Sequence, residues 1–265
     1  MFQRIADILA AESITHFGMT GIENCDIINE RLLPEYAESV VMMSIPYRTS
    51  KEKGTDGFSE YCRIYDYHGF YRGLFERVLP KIRALGCRCD GFSDHSPINE
   101  KLAAAKCGIG VVGRNSLLID KVYGSFIFLG TIVTDIPCHT PPHEIEFCNN
   151  CGLCARACPN GAVLSHGIDV ERCLSGISQK KHRTDEENAL LKKNGIAWGC
   201  DICQEVCPYN RAARLSEIPY FVNTRLDHIT KEFVQDLTKE EFARYAFAYK
   251  GKKLVLDNID LLLQP

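Results

Sequence analysis

The sequence predicts an α+β protein in three parts: an α/β body over residues 1–145, a cysteine-rich cluster unit over 146–212 and a short helical tail over 213–265. Three observations carry this. Through the first part, apolar β-branched runs alternate with segments whose apolar residues recur at helical steps. Cysteines then crowd into "CNNCGLCARACPNGA" and its shorter echo "AWGCDICQEVCPYN", each with a Cys-Pro step. Beyond Arg211 only short helical patterns remain.

The opening "MFQRIADILAAESITHFG" spaces Phe2, Ile5 and Leu9 on one helical face and carries Arg4, Asp7 and Glu12, so it reads as an amphipathic surface helix, not a secretory signal. "ESVVMMSIPY" is a buried strand ending at Pro46. Residues 58–85 repeat aromatics and leucines every three or four positions, which predicts a long helix that Pro80 kinks. "CRCDGF" is a short strand. Pro97 opens a helix over "PINEKLAAAKCG", in the first-turn place that proline tolerates, and Gly108 closes it. "GIGVVGRNSLLI" is a glycine-punctuated loop entering a strand, "GSFIFLGTIVTD" a further strand, and "IPCHTPPHE" a linker. "TKEFVQDL", "TKEEFARYAF" and "KKLVLDNIDLLL" form the helical tail.

Hydrophobic residues make up 45% and charged residues 25% of the chain, ordinary values for a globular protein. No stretch reaches the roughly 18 apolar residues of a membrane span, so a cytoplasmic protein without a membrane partner is expected. Fourteen cysteines exceed what packing explains, and in a reducing compartment they are thiols or metal ligands rather than disulfides. The net charge of −3 gives no overall attraction to nucleic acid; "KKHR" at 180–183 and Lys192-Lys193 are local basic runs.

A cubane [4Fe–4S] cluster takes three thiolates from cysteines at steps of three, while a fourth before proline points to a second cube. Cys148, Cys151 and Cys154, then Cys158-Pro159, have that spacing. Cys207 of the echo completes the first cluster. The second receives Cys158, Cys200 and Cys203 and is one ligand short, because Ala197 stands where the echo needs a cysteine. Cys173 in "DVERCLSGI" is the only cysteine between Cys158 and Cys200 and is the expected donor. A pair of zinc sites is the alternative for CxxC pairs, but zinc knuckles have no use for a third cysteine at the same step before proline. Two clusters imply one-electron transfer, and a body of 145 residues beside them implies delivery to a second centre.

Three stretches of the body concentrate polar chemistry: "SEYCRIYDYH", "GFSDHSPINEK" and "GIGVVGRNSLL". The last is a weak nucleotide signature, since Gly108-x-Gly110-x-x-Gly113 follows a helix and not a strand. Together with the cysteines these stretches resemble the epoxyqueuosine reductase family, in order and almost end to end. "CRIYDYH" is similar to the family's Arg…Asp-Tyr-His segment, "FSDHSPINEK" to its Val-Asp-Ser-(Ala/Gly)-Pro stretch, and "GIGVVGRNSLLI" to its Gly-x-Gly-x-x-Gly-Lys-Asn-Thr-Leu-Leu-Ile. "AWGCDICQEVCPYNR" resembles its Gly-Cys-Asp-x-Cys-Gln-x-Val-Cys-Pro-x-Asn.

The resemblance implies a corrinoid-binding body of the reductive-dehalogenase type, a bacterial two-cluster ferredoxin-like domain, and cobalamin as a cofactor beside two [4Fe–4S] clusters. Asn115, Leu118 and Leu129 match candidate corrinoid contacts, as do Cys62 and, more loosely, Arg31. Asp94 matches the family's proton donor and lies at the cofactor. Reducing an epoxide to an alkene takes two electrons and releases water, so the departing oxygen must be protonated. The competing reading makes Asp94 the cap of the helix that Pro97 opens. His68 and His95 are expected to be structural: "DYHGFY" carries Tyr71 where the family's cobalt-associated Asp-x-His-x-x-Gly pattern has glycine.

Arg114 replaces the usual lysine, keeping charge and changing geometry. The sequence stops near where family members begin a helical-repeat domain that helps to hold tRNA. The expected partners are a tRNA substrate, held by a smaller footprint, and an external electron donor. Rival readings are a reductase of the same build for another small molecule, and a non-catalytic electron-transfer or corrinoid-reactivating protein.

Overall fold

A computed structural model describes residues 1–264. The chain divides into two compact units. The first comprises Met1–Pro46, His68–Gly113 and Leu117–Asn149; the second comprises Tyr47–Tyr67, Arg114–Ser116 and the chain from Asn150 onward.

In the first unit the strands are β1 (Phe17–Gly21), β2 (Ser39–Pro46), β3 (Cys89–Phe92), β4 (Gly110–Val112), β5 (Leu118–Asp120) and β6 (Ile127–Thr134). Four of them form an antiparallel sheet in the order β1-β2-β6-β3, and β4 and β5 pair as a separate hairpin. All eight residues of β2 are buried. That is why "SVVMMSIP" reads as a continuous apolar run without alternation: the strand is covered on both faces. Ser39–Pro46 pairs along its whole length with β6, Val40 opposite Val133 and Met42 opposite Thr131.

The helices of this unit are α1 (Phe2–Ala11), α2 (Tyr67–Arg83) and α3 (Glu100–Lys106). α1 buries Ile5 and Leu9 as its spacing predicts. Its loop residue Glu12 accepts from Arg77 at 2.7 Å and Lys81 at 3.0 Å on α2. Those bonds hold the Glu12 carboxyl below the usual range. Two helix boundaries differ from expectation. The long helix starts at Tyr67, not at residue 58; only Glu60–Arg63 ahead of it forms a single 3₁₀ turn. α3 starts at Glu100, not at Pro97, because Asn99 is its cap and accepts from the Leu102 N–H at 3.5 Å. β1 was not visible in the sequence, and "GIGVVGRNSLLI" contains both strands of a hairpin.

The second unit is helical: α4 (Leu153–Ala157), α5 (Leu174–Ser178), α6 (Asp185–Lys193), α7 (Ile202–Glu205), α8 (Pro219–Val222), α9 (Lys231–Asp236), α10 (Lys239–Phe242) and α11 (Lys252–Leu263). Thr184 with Glu187, and Thr238 with Glu241, form reciprocal capping boxes that start α6 and α10. Phe58, Cys62, Ala197 and Trp198 share one apolar core with Val234, Phe242, Phe247 and Val255 of the tail. The fully buried Arg63 crosses this unit, pairing with Asp56 and donating to the carbonyls of Phe58 at 3.2 Å and Asp227 at 2.9 Å. The α11 side chain Asn258 donates to the carbonyls of Ser178 and Ala197, both at 2.8 Å.

Candidate active site and cluster centres

Asp94 lies in the turn between β3 and α3 with φ of +63°, a left-handed conformation that aspartate tolerates better than most side chains. Its carboxyl is 72% exposed, and Oδ2 stands 4.0 Å from Nε2 of His68 in the first turn of α2. Because Asn99 caps α3, the capping role is removed from Asp94. His95 is exposed in the same turn.

The carboxyl nearest this turn that the sequence did not single out is Glu100. Thr131 on β6 donates to its Oε1 at 2.8 Å. Burial pushes the Glu100 carboxyl up to about 7, and the negative charge of Asp94 adds to the rise, while bonds from Thr131, the Asp94 main chain and Ser96 oppose it. A glutamate in the first turn of a helix is commonplace, so nothing in the pattern marked it.

Leu118 is buried on β5. Leu129 is half-buried on β6 and, with Ile127 on the same face of the strand, packs against the core that holds Val40, Met42 and Val133. Tyr71 lays its ring over Gly130, where a Cβ would collide with it. Arg31 is exposed on a short 3₁₀ turn, Glu30–Leu32. Cys62 is fully buried in the second unit, 3.2 Å from Ser59 Oγ. Burial drives its thiol pKa well up, so it is a neutral thiol there.

Asn115, 5% exposed, lies in the second unit and points Nδ2 at Cys203 Sγ, 3.6 Å away. Cys173, Cys200 and Cys203 are close enough to act on one another electrostatically, and Cys203 also feels Cys154. The last contact follows from α4 packing against α7. Burial pushes the Cys200 and Cys203 thiols up to about 12. Such thiols ionise when a metal centre supplies the compensating charge. Three of the four sulfurs expected at the second cluster accept an N–H: Cys158 from Ala162 at 3.2 Å, Cys200 from Ile202 and Cys203 from Asn115. Thiols are weak acceptors and thiolates strong ones, so this donor set fits a thiolate-ligated cluster.

Cys158 ends α4, and Cys207 precedes Pro208; both are extended, as a residue before proline must be. Ala197 is fully buried in the apolar core and holds no ligand position. Cys148 belongs to the first unit, at its last residues, and Cys151 and Cys207 to the second. Among the described residues no three His, Cys, Asp or Glu side chains converge as ligands of a single metal ion.

A family model described as a 4Fe-4S double cluster binding domain matches residues 147–210. A reductive dehalogenase whose structure was used to suggest a mechanism for B12-dependent dehalogenation shares the fold: TM-score 0.50, 20% identity, 78% of this chain and 31% of that one. An epoxyqueuosine reductase crystallised with an epoxyqueuosine-modified tRNA-Tyr stem loop superimposes with a TM-score of 0.83 at 22% identity, covering 99% of this chain and 81% of that one. Fold and cluster domain therefore define a protein that shares the fold of these reductases and carries a double-cluster binding domain over residues 147–210. The epoxyqueuosine reductase of Listeria monocytogenes serovar 1/2a is 31% identical over 97% of this chain and 72% of its own length. The chain belongs to the epoxyqueuosine reductase family. Among the described residues no helix is long and apolar enough to cross a membrane.

Proposed function

We propose that this chain reduces epoxyqueuosine to queuosine in tRNA, in the cytoplasm, drawing electrons from an external one-electron donor. The observation that carries the reading is similarity to an epoxyqueuosine reductase over 97% of the chain. Support comes from the Asp94 turn, whose aspartate is free of the helix-capping role.

When bound, the two clusters supply one-electron transfer and the corrinoid supplies the two-electron reduction of the substrate. Cys148, Cys151, Cys154 and Cys207 hold one cluster, and Cys158, Cys173, Cys200 and Cys203 the other. Arg31, Cys62, Asn115, Leu118 and Leu129 are the proposed corrinoid contacts. Asp94, turned to solvent beside His68, protonates the oxygen as its bonds to carbon break. "KKHR" and Lys192-Lys193 meet the phosphates of tRNA. The body, the cluster domain and the helical tail divide the chain near residues 145 and 212.

The test is the queuosine content of tRNA in a strain whose own reductase is replaced by this gene. Queuosine is expected, and Asp94→Asn should leave epoxyqueuosine while keeping both cofactors. Accumulated epoxyqueuosine with the unaltered, cofactor-loaded protein would reject the substrate.

A further inference from the structure

Reducing an epoxide to an alkene consumes two electrons and two protons for each water released. One proton meets the oxygen as the first C–O bond breaks, and the second turns the departing hydroxide into water as the other bond breaks. The electrons come from the external donor through the cofactors. Asp94 can hold one proton at a time.

Beside it the structure places a second carboxyl on a rigid mount. Glu100 is the first residue of α3, and its Oε1 takes the hydroxyl proton of the fully buried Thr131 at 2.8 Å. The same carboxyl accepts from the main-chain N–H of Asp94 and from the Ser96 side chain. Three donors from two elements thus converge on one oxygen pair, and two of them belong to the turn that carries Asp94 in its left-handed conformation. We propose that Glu100 is the positioning residue of Asp94: it pins the turn through the Asp94 and Ser96 bonds and keeps a second proton next to the donor. The idea rests on Asp94 being that donor.

The surroundings favour a neutral Glu100. Once Asp94 has given up its proton, its negative charge faces Glu100 and holds the Glu100 proton more firmly, and His68 of α2 stands 4.0 Å from the Asp94 carboxyl. β6 contributes the Thr131 hydroxyl, and β2 the Met42 sulfur, 3.4 Å from that hydroxyl. Lys101, next on α3, is itself pulled down by burial. With burial dominant, the carboxyl keeps its proton up to about pH 7. Above that its charge repels the Asp94 carboxylate and the stored proton is gone.

The experiment has two readouts. Infrared titration of the purified protein should show a protonated-carboxyl band that disappears near pH 7 in the wild type and is absent from Glu100→Gln. Thr131→Val removes a bond that favours the charged form, so it should move the band's midpoint upward; this variant assigns the band even if Glu100→Gln fails to fold. In the cofactor-loaded enzyme, with an epoxyqueuosine stem loop, kcat/KM should fall above pH 7. Glu100→Gln should lose that limb and about tenfold in kcat with KM little changed, a modest share of an acid–base contribution. A wild type without the band, or a Glu100→Gln limb superimposed on the wild type's, would overturn the proposal. The infrared result stands whatever the substrate proves to be.

Discussion

The Asn115 amide donates to Cys203 Sγ across 3.6 Å, within the second unit. A hydrogen bond to a cluster thiolate stabilises the more negative, reduced state and raises the potential. Asn115→Leu should therefore lower the midpoint of one cluster by up to about 40 mV, taking about 1 kcal/mol for the bond. Reductive titration followed by electron paramagnetic resonance measures it, and the other cluster should keep its potential. Equal shifts in both would take Asn115 away from Cys203.

Cys173 is the isolated cysteine, at the start of α5, and it acts electrostatically on both Cys200 and Cys203. Cys173→Ala should lower the iron and sulfide of anaerobically purified protein by up to about half, since one of the two clusters then lacks its fourth thiolate. Full iron content in that variant would assign the fourth ligand elsewhere. Restoring a cysteine at 197 should not rescue it, because Ala197 is packed in the apolar core with Trp198.

The double-cluster domain over residues 147–210 was legible because most of its cysteine spacing is local: a step of three and a following proline fix backbone geometry within a few residues. β2 was legible because eight residues are buried without alternation. Residues 58–66 misled for an instructive reason. Phe58 and Cys62 recur at a helical step, yet they are apolar because they fill a core with residues far along the chain, Val234 and Phe247 among them. β1, "FGMTG", carries two glycines in five residues and gives almost no strand signal. Glu100 gave none at all, since its environment is assembled by Thr131, thirty-one positions away in sequence.

Arg63 gives a stability prediction. Its guanidinium is fully buried, paired with Asp56 and bonded to carbonyls of Phe58, Leu226 and Asp227. Arg63→Ala strands the Asp56 carboxylate and leaves those carbonyls unpaired, which costs about 3–5 kcal/mol. Arg63→Lys should recover only part of this, because an ammonium cannot span the fork of acceptors. Denaturant midpoints of the three proteins decide it; an Arg63→Lys midpoint equal to the wild type's would mean that charge alone suffices.

Glu100 makes stability depend on pH in a direction opposite to that of ordinary salt-bridged carboxylates. Its pKa rises from 4.5 in the unfolded chain to about 7 in the fold. The folded state therefore binds the proton more tightly, and the associated stability is complete below pH 4.5 and is lost as pH rises through 7. That span corresponds to about 3 kcal/mol at full effect. Glu100→Gln keeps an acceptor for Thr131 and cannot ionise, so relative to the wild type it should gain stability between about pH 5 and pH 7 and level off above that. Asp94→Asn removes the neighbouring negative charge that helps to raise the Glu100 carboxyl, so in that variant the loss should end at a lower pH and be smaller in total. Unfolding by urea at a series of pH values measures both, and parallel wild-type and Glu100→Gln curves from pH 5 to pH 8 would show that Glu100 is ionised throughout.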